Sequence, residues 1–136
     1  MASPLEALGT LRTAADDGRL DALCDAYGIR LLGVFGSVIS PHNPDADPHD
    51  IDVAVSLEGP PQVVPLLDEL TALTDCDAID LVVIDGASPV LRAEAMSGLG
   101  LYENEAGLWA RTQMSALAER RDTQPLRDLD LRALAG

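Results

Sequence analysis

Lysine is absent from this 136-residue chain: arginine supplies all 9 basic residues, against 23 acidic ones, for a formal charge of −14. Neutralising a nucleic-acid backbone takes clustered Lys and Arg, and this field repels a polyanion, so a direct nucleic-acid role is excluded. A basic protein partner is accommodated more easily. Aromatic residues make up only 3% of the chain, which leaves Leu, Val, Ile and Ala to build the core. The 2 cysteines, Cys24 and Cys76, have neither CxxC spacing nor paired histidines nearby, so they read as buried free thiols and not as a zinc or redox motif. No apolar run approaches the ~20 residues of a membrane span. Residues 1–11 carry neither a basic n-region nor an apolar h-region, and the expectation is a cytoplasmic protein.

What is present is periodic. At 47% hydrophobic content the chain is long enough for one domain that buries about two-thirds of its unfolded surface. Ser3-Pro4 reads as an N-cap with proline in the first turn of a helix carrying Leu5, Leu8, Leu11 and Ala15, interrupted or ended at Asp16-Asp17-Gly18. A second helix over Arg19–Tyr27 stops at Gly28. The run Ile29–Phe35 then has the nearly continuous apolar character of a strand buried on both faces, and Gly36-Ser37 ends it. Ser40–Pro48, rich in proline and short polar side chains, is a loop.

A strand is expected from about Asp50 to Leu57, and a helix after Gly59-Pro60-Pro61 through Val63, Val64, Leu66, Leu67, Leu70 and Leu73, a ridge spaced to pack on a sheet. A third strand over Ile79–Ile84 contains Asp80 and closes at Asp85-Gly86. Ser88-Pro89 opens a further helix with Leu91, Ala95 and Met96, which Gly98 and Gly100 break before Leu101-Tyr102. A tail from Ala106 to about Arg121 is helical by pattern. The organisation is therefore a single domain over 1–136: an N-terminal helix to residue 18, a core over 19–103, and a helical tail over 104–136.

Three aspartates and one turn carry the chemistry. Successive strand side chains alternate faces, so Asp50 and Asp52 project together and can share cations. Two divalent ions about 3.5–4 Å apart, bridged by such carboxylates, would neutralise a triphosphate and orient in-line attack on its α-phosphorus. The hard oxygen ligands favour magnesium. Asp80, on a neighbouring strand, would complete one metal site and help deprotonate the attacking hydroxyl. Gly36 permits close backbone approach, and Ser37, where the strand gives way to a helix N-terminus, would turn its N–H and hydroxyl toward the β and γ phosphates. A Gly-Ser pair alone is ordinary turn chemistry, and Asp-x-Asp alone is an ordinary solvated strand end. Their combination with a third carboxylate inside another apolar strand, where an uncompensated charge is unfavourable, points to metal-dependent nucleotidyl transfer.

The segment GIRLLGVFGSVISPHNPDADPHDIDVAVSLEG, followed by AIDLVVID and ASPVLRAEAMSGLGLYE, resembles the MNT-type minimal nucleotidyltransferases of the polymerase β superfamily over about Arg19–Glu103. The resemblance implies a small α/β (α+β) fold with a short mixed sheet flanked by helices. It implies ATP as substrate, Mg2+ as cofactor, catalytic and metal-binding roles for Asp50, Asp52 and Asp80, and nucleotide binding at Gly36 and Ser37. It also implies an antitoxin that pairs with a helical HEPN-type toxin and transfers AMP to one of its hydroxyls. A non-catalytic antitoxin that masks its toxin, and a small-molecule nucleotidyltransferase with its acceptor pocket at a homodimer interface, are the alternatives.

The chain departs from the family at three places. Val38, Ile39 and Ser40 stand where arginine often follows Gly-Ser, the loop to Asp50 is longer and proline-rich, and His49 stands where serine is frequent. Arg30 and Arg92 are the arginines that could substitute as phosphate ligands, against an ordinary surface role for each. His49 could contact a phosphate or stay solvated, and His42 carries no signal. Trp109 and Tyr102 read as packing residues, Trp109 alternatively as part of a dimer or partner surface.

Overall fold

The computed structural model of the chain describes every residue except 42, 44 and 136, and side chains through residue 129. His42 and the end of the tail thus lie outside the described residues. Ser3 caps the first helix, α1 (Pro4–Asp17), through a capping box in which its hydroxyl accepts from Glu6 N–H and Glu6 accepts from Ser3 N–H. Gly18, with φ at 89°, turns the chain directly into α2 (Arg19–Ala26). Strand β1 (Ile29–Phe35) follows, then a single 3-10 turn over Gly36–Val38, the loop, and β2 (Ile51–Leu57). Helix α3 (Val63–Thr74) crosses to β3 (Ile79–Val83); after a second 3-10 turn come α4 (Pro89–Met96), β4 (Leu99–Glu103) and α5 (Leu108–Ala135).

The four strands form one mixed sheet in the order β3-β2-β1-β4, with β1 antiparallel to both β2 and β4 and β2 parallel to β3. Alternation along the strands divides the apolar residues between two layers. Leu32, Val34, Ile51, Val53 and Val55 join the main core with α1, α2 and α3, while Leu31, Phe35, Ala54 and Ile84 face Met96 and Trp109 of the α4–α5 layer. Cys24 and Cys76 are buried free thiols, as expected, and burial pushes the Cys24 thiol up to about 12, out of reach of thiolate chemistry at neutral pH.

The structure corrects several expectations. Gly98 and Gly100 flank no simple break: Leu99–Glu103 pairs with β1 as an edge strand. Glycine lowers strand propensity, but here it serves packing: Gly98 lies against Val34 and Phe35 of β1, and the Trp109 ring lies over Gly33 and Gly100, where a Cβ would enter it. Trp109 is thereby a packing residue. Tyr102, in β4, packs against the main core and donates to Asp25 at 3.2 Å. The tail helix runs past Arg121 to Ala135, through Pro125. Arg127 reaches back across the proline to the Arg120 carbonyl at 2.7 Å and to Thr123 Oγ1 at 2.6 Å, ties that help the helix continue. On α3 only Leu66, Leu70 and Thr74 are buried, while Val63 and Val64 stay exposed.

Candidate metal and nucleotide site

Register brings the three aspartates together. Asp52 lies directly beside Asp80 in the parallel β2–β3 ladder, so both project from the α4 side of the sheet, and Asp50 precedes Asp52 by two residues on the same side. One carboxylate oxygen from each of Asp50, Asp52 and Asp80 lies within 4.8 Å of the others. Oxygens on opposite sides of a magnesium ion, at 2.0–2.1 Å each, are ~4 Å apart, so small rotamer changes suffice to close the set on one ion. Asp50 is the last residue before the strand, not its first, which leaves it exposed like Asp80, while Asp52 is half-buried.

Among the described residues no basic group pairs with this cluster. Burial, then the negative charges of Asp50 and Asp80, a hydrogen bond with Asp80 and the charge of Glu94 push the Asp52 carboxyl up to about 6. A divalent cation removes the repulsion that produces this shift, and the all-carboxylate donor set fits a hard ion. Glu94, on α4, is a neighbour that no sequence motif marks; only the packing of α4 across the sheet brings it near.

The turn before the loop is built around the same aspartate. Gly36 has φ at 79°, a conformation costly for any residue with a Cβ, and a Cβ there would collide with Asp52 Oδ2. Glycine at 36 therefore lets the backbone lie against the carboxylate. The helix N-terminus expected at Ser37 is only the 3-10 turn Gly36–Val38, whose Gly36 carbonyl accepts from Ile39 and Ser40. Any anion binding here thus comes from the turn's local donors, with no helix dipole behind them. Ser37 shares a cavity of about 330 Å³ with Asn43, Asp47, His49 and Asp50, so the loop closes one wall of the site.

Arg30 and Arg92 do not reach it. Phe35 pairs with Asp52, and Arg30 lies five residues earlier on β1, ~16 Å along the strand. There Arg30 donates to Asp85 Oδ1 at 3.0 Å and to the Leu57 carbonyl at 3.3 Å. Arg92 binds the carbonyls of Ile84 and Ala87 and pairs with Glu119 at 2.5 Å. Both are spent on holding the far end of the sheet, where they line a separate cavity of about 510 Å³.

No protein-family model and no curated protein sequence matches the chain. Solved structures do. A chain of a toxin–antitoxin complex with AMP-PNP aligns with 88% of this chain and 98% of its own length, at 19% identity and a TM-score of 0.66. The fold is the minimal nucleotidyltransferase fold. A chain of a complex between a tri-AMPylated Shewanella oneidensis HEPN toxin and its MNT antitoxin shares this fold over 92% of the present chain and 99% of its own, again at 19% identity and TM-score 0.66. An MntA–HepT toxin–antitoxin structure aligns over 88% and 97%, at 18% identity and TM-score 0.64. The mixed sheet and flanking helices expected of a minimal nucleotidyltransferase fold are thus present. Among the described residues, no helix is long and apolar enough to cross a membrane.

Proposed function

We propose that the chain is a magnesium-dependent nucleotidyltransferase that transfers AMP from ATP to a hydroxyl of a HEPN-type toxin, acting as its antitoxin. The observation that carries this reading is the convergence of Asp50, Asp52 and Asp80, with no basic group among the charges that bear on Asp52. The fold's likeness to chains of toxin–antitoxin complexes, one holding AMP-PNP and another an AMPylated toxin, supports the substrate and the partner. Bound divalent ions would supply charge neutralisation of the triphosphate and polarisation of the reacting oxygens. In this reading Asp50 and Asp52 hold the ions. Asp80 completes the ligand set and accepts the acceptor hydroxyl's proton as its oxygen bonds to the α-phosphorus and pyrophosphate departs. Gly36 lets the turn approach, and Ser37 donates to the outer phosphates.

A second reading, an antitoxin that masks its toxin without catalysis, is favoured by one feature: no arginine stands beside Ser37. The two separate in one experiment. Incubating the protein with α-labelled ATP, magnesium and the HEPN-type protein encoded beside it should label that protein, and Asp52→Asn should abolish the label. Neutralisation of the toxin by Asp52→Asn as fully as by wild type, with no label in either case, would overturn the enzymatic reading in favour of masking.

A further inference from the structure

The two edges of the sheet are unalike. Strand β4 holds a glycine and a register shift against β1, and the Glu103 carboxylate at its end is taken up by the Gly107 and Trp109 N–H groups. Strand β3, Ile-Asp-Leu-Val-Val, pairs with β2 in unbroken register and carries neither proline nor a basic residue, the usual guards of an edge. The Ala78 carbonyl accepts from Ile51 N–H, so residues 78, 80 and 82 turn their backbone groups to β2, and Ile79, Leu81 and Val83 turn theirs outward. Among the described residues no backbone group bonds to those outward N–H and C=O groups. This open edge belongs to the strand that carries Asp80. Asp80 and Val82 share the α4 side of the sheet, and Val82 and Leu91 there line an apolar groove of about 450 Å³ with Leu57, Pro61 and Ala87. Asp75, Asp77 and Asp85 flank the strand in a chain of formal charge −14, which favours a basic occupant and opposes a second copy of this chain.

We propose that the acceptor hydroxyl reaches the triad on an extended, basic segment of the partner protein that adds to β3 as an antiparallel fifth strand. This docking mode rests on the nucleotidyltransferase reading above and gives its acceptor a place. Pairing runs through the outward groups of Ile79, Leu81 and Val83. A residue opposite Asp80 then stands in a non-hydrogen-bonded pair, the closer of the two kinds, with its side chain on the triad's side of the sheet and its Cβ about 4.5–5.5 Å from that of Asp80. The residue two before it stands opposite Val82, ~7 Å along the strand, where its side chain enters the groove. The segment therefore reads apolar–x–hydroxyl. Backbone pairing supplies the affinity, and the groove sets the register that delivers the hydroxyl to Asp80.

The probe is the fluorescein-labelled peptide Arg-Leu-Arg-Tyr-Arg-Ala-Arg, titrated by anisotropy into the full chain with Mg2+ present. N-methylation of the two arginines beside Tyr removes the N–H groups that face β3 and should weaken binding at least about 10-fold. N-methylation of Leu and Tyr, whose N–H groups face away, should change it less than about 3-fold at the same charge and composition. Exchanging Leu and Ala should weaken it at least about 5-fold, the loss of the groove contact. In amide hydrogen exchange the peptide should protect Ile79, Leu81 and Val83 and leave β4 as it was. Equal weakening by the two methylation patterns, unchanged affinity on exchanging Leu and Ala, protection at β4 instead of β3, or no binding at millimolar peptide would overturn the docking mode. Protection of the β3 amides in a dimer of the free chain would give the edge to a second copy and overturn it too. Each of these, with label still transferred to the neighbouring HEPN-type protein, leaves the nucleotidyltransferase reading standing. Docking as described with no transfer to that protein would overturn the reading itself.

Discussion

Two ends of one sheet face use aspartate in opposite ways. At one end Asp50, Asp52 and Asp80 converge, and among the described residues only acidic groups bear on Asp52. At the other, Asp85 accepts from Arg30 at 3.0 Å, from Ser56 Oγ at 2.8 Å and from Leu57 N–H at 3.0 Å. Ser56 and Asp52 lie on the same strand and the same side, four residues apart, ~13 Å. Asp85 is thereby satisfied within the protein and ties the end of β3 to β1 and β2. The triad has no such partner among the described residues. Residue type alone separates nothing here; the partners within reach decide which carboxylate holds the fold and which is open to a ligand.

That contrast can be broken from either side. The largest effect is expected from Asp52→Asn, which should lower nucleotidyl transfer on the order of 10³-fold, the several kcal/mol that a lost metal site costs. Asp85→Ala should do the reverse. It leaves Arg30, Ser56 Oγ and Leu57 N–H without their acceptor and should cost about 2 kcal/mol in urea unfolding, with divalent-ion binding unchanged. Gly36→Ala comes next. Positive φ and the collision with Asp52 Oδ2 should cost about 1–2 kcal/mol and weaken metal affinity together, so a variant that loses stability yet binds metal like wild type would contradict the packing described.

The smallest effect is in pH. The Asp52 carboxyl is raised from its ordinary range to about 6, so between about pH 4 and 6.5 the folded metal-free protein binds more protons than the unfolded chain. Asp52 therefore contributes stability at low pH that is lost as pH rises through about 6. Discounted for solvent screening at this half-buried position, the loss is about 1 kcal/mol, and urea melts of metal-free wild type and Asp52→Asn at pH 4.5 and 7 should differ by that amount.

Much of this was legible in the sequence because it rests on local patterns. The Ser3 cap, the buried run of β1, the Asp50–Asp52 alternation and the glycine at 36 all follow from neighbours a few residues away. The pairing of Asp52 with Asp80 needed only that two apolar strands lie side by side. What was not legible depends on distant contact. Strand β4 hides behind Gly98 and Gly100: Gly98 lies against Val34 and Phe35 of β1, and the space at Gly100 is explained only once Trp109 is laid across the sheet. The phosphate roles considered for Arg30 and Arg92 fail because β1 carries Arg30 away from the triad and Arg92, on α4, is held by the Ile84 and Ala87 carbonyls and Glu119, contacts that composition does not encode. Glu94 reaches Asp52 through the path of α4, which no local pattern encodes.

We propose that the triad is unpaired because it is a divalent-cation site. Thermal melts at pH 7 with increasing Mg2+ or Mn2+ test it on wild type, Asp52→Asn and Asp85→Ala in parallel. At about 100 times the dissociation constant, binding to the folded state is worth about 2.7 kcal/mol, so the wild-type midpoint should rise by about 5 °C or more. Asp85→Ala should start lower and rise as far, and Asp52→Asn should stay where it began. No rise in wild type, or an equal rise in Asp52→Asn, would contradict the account.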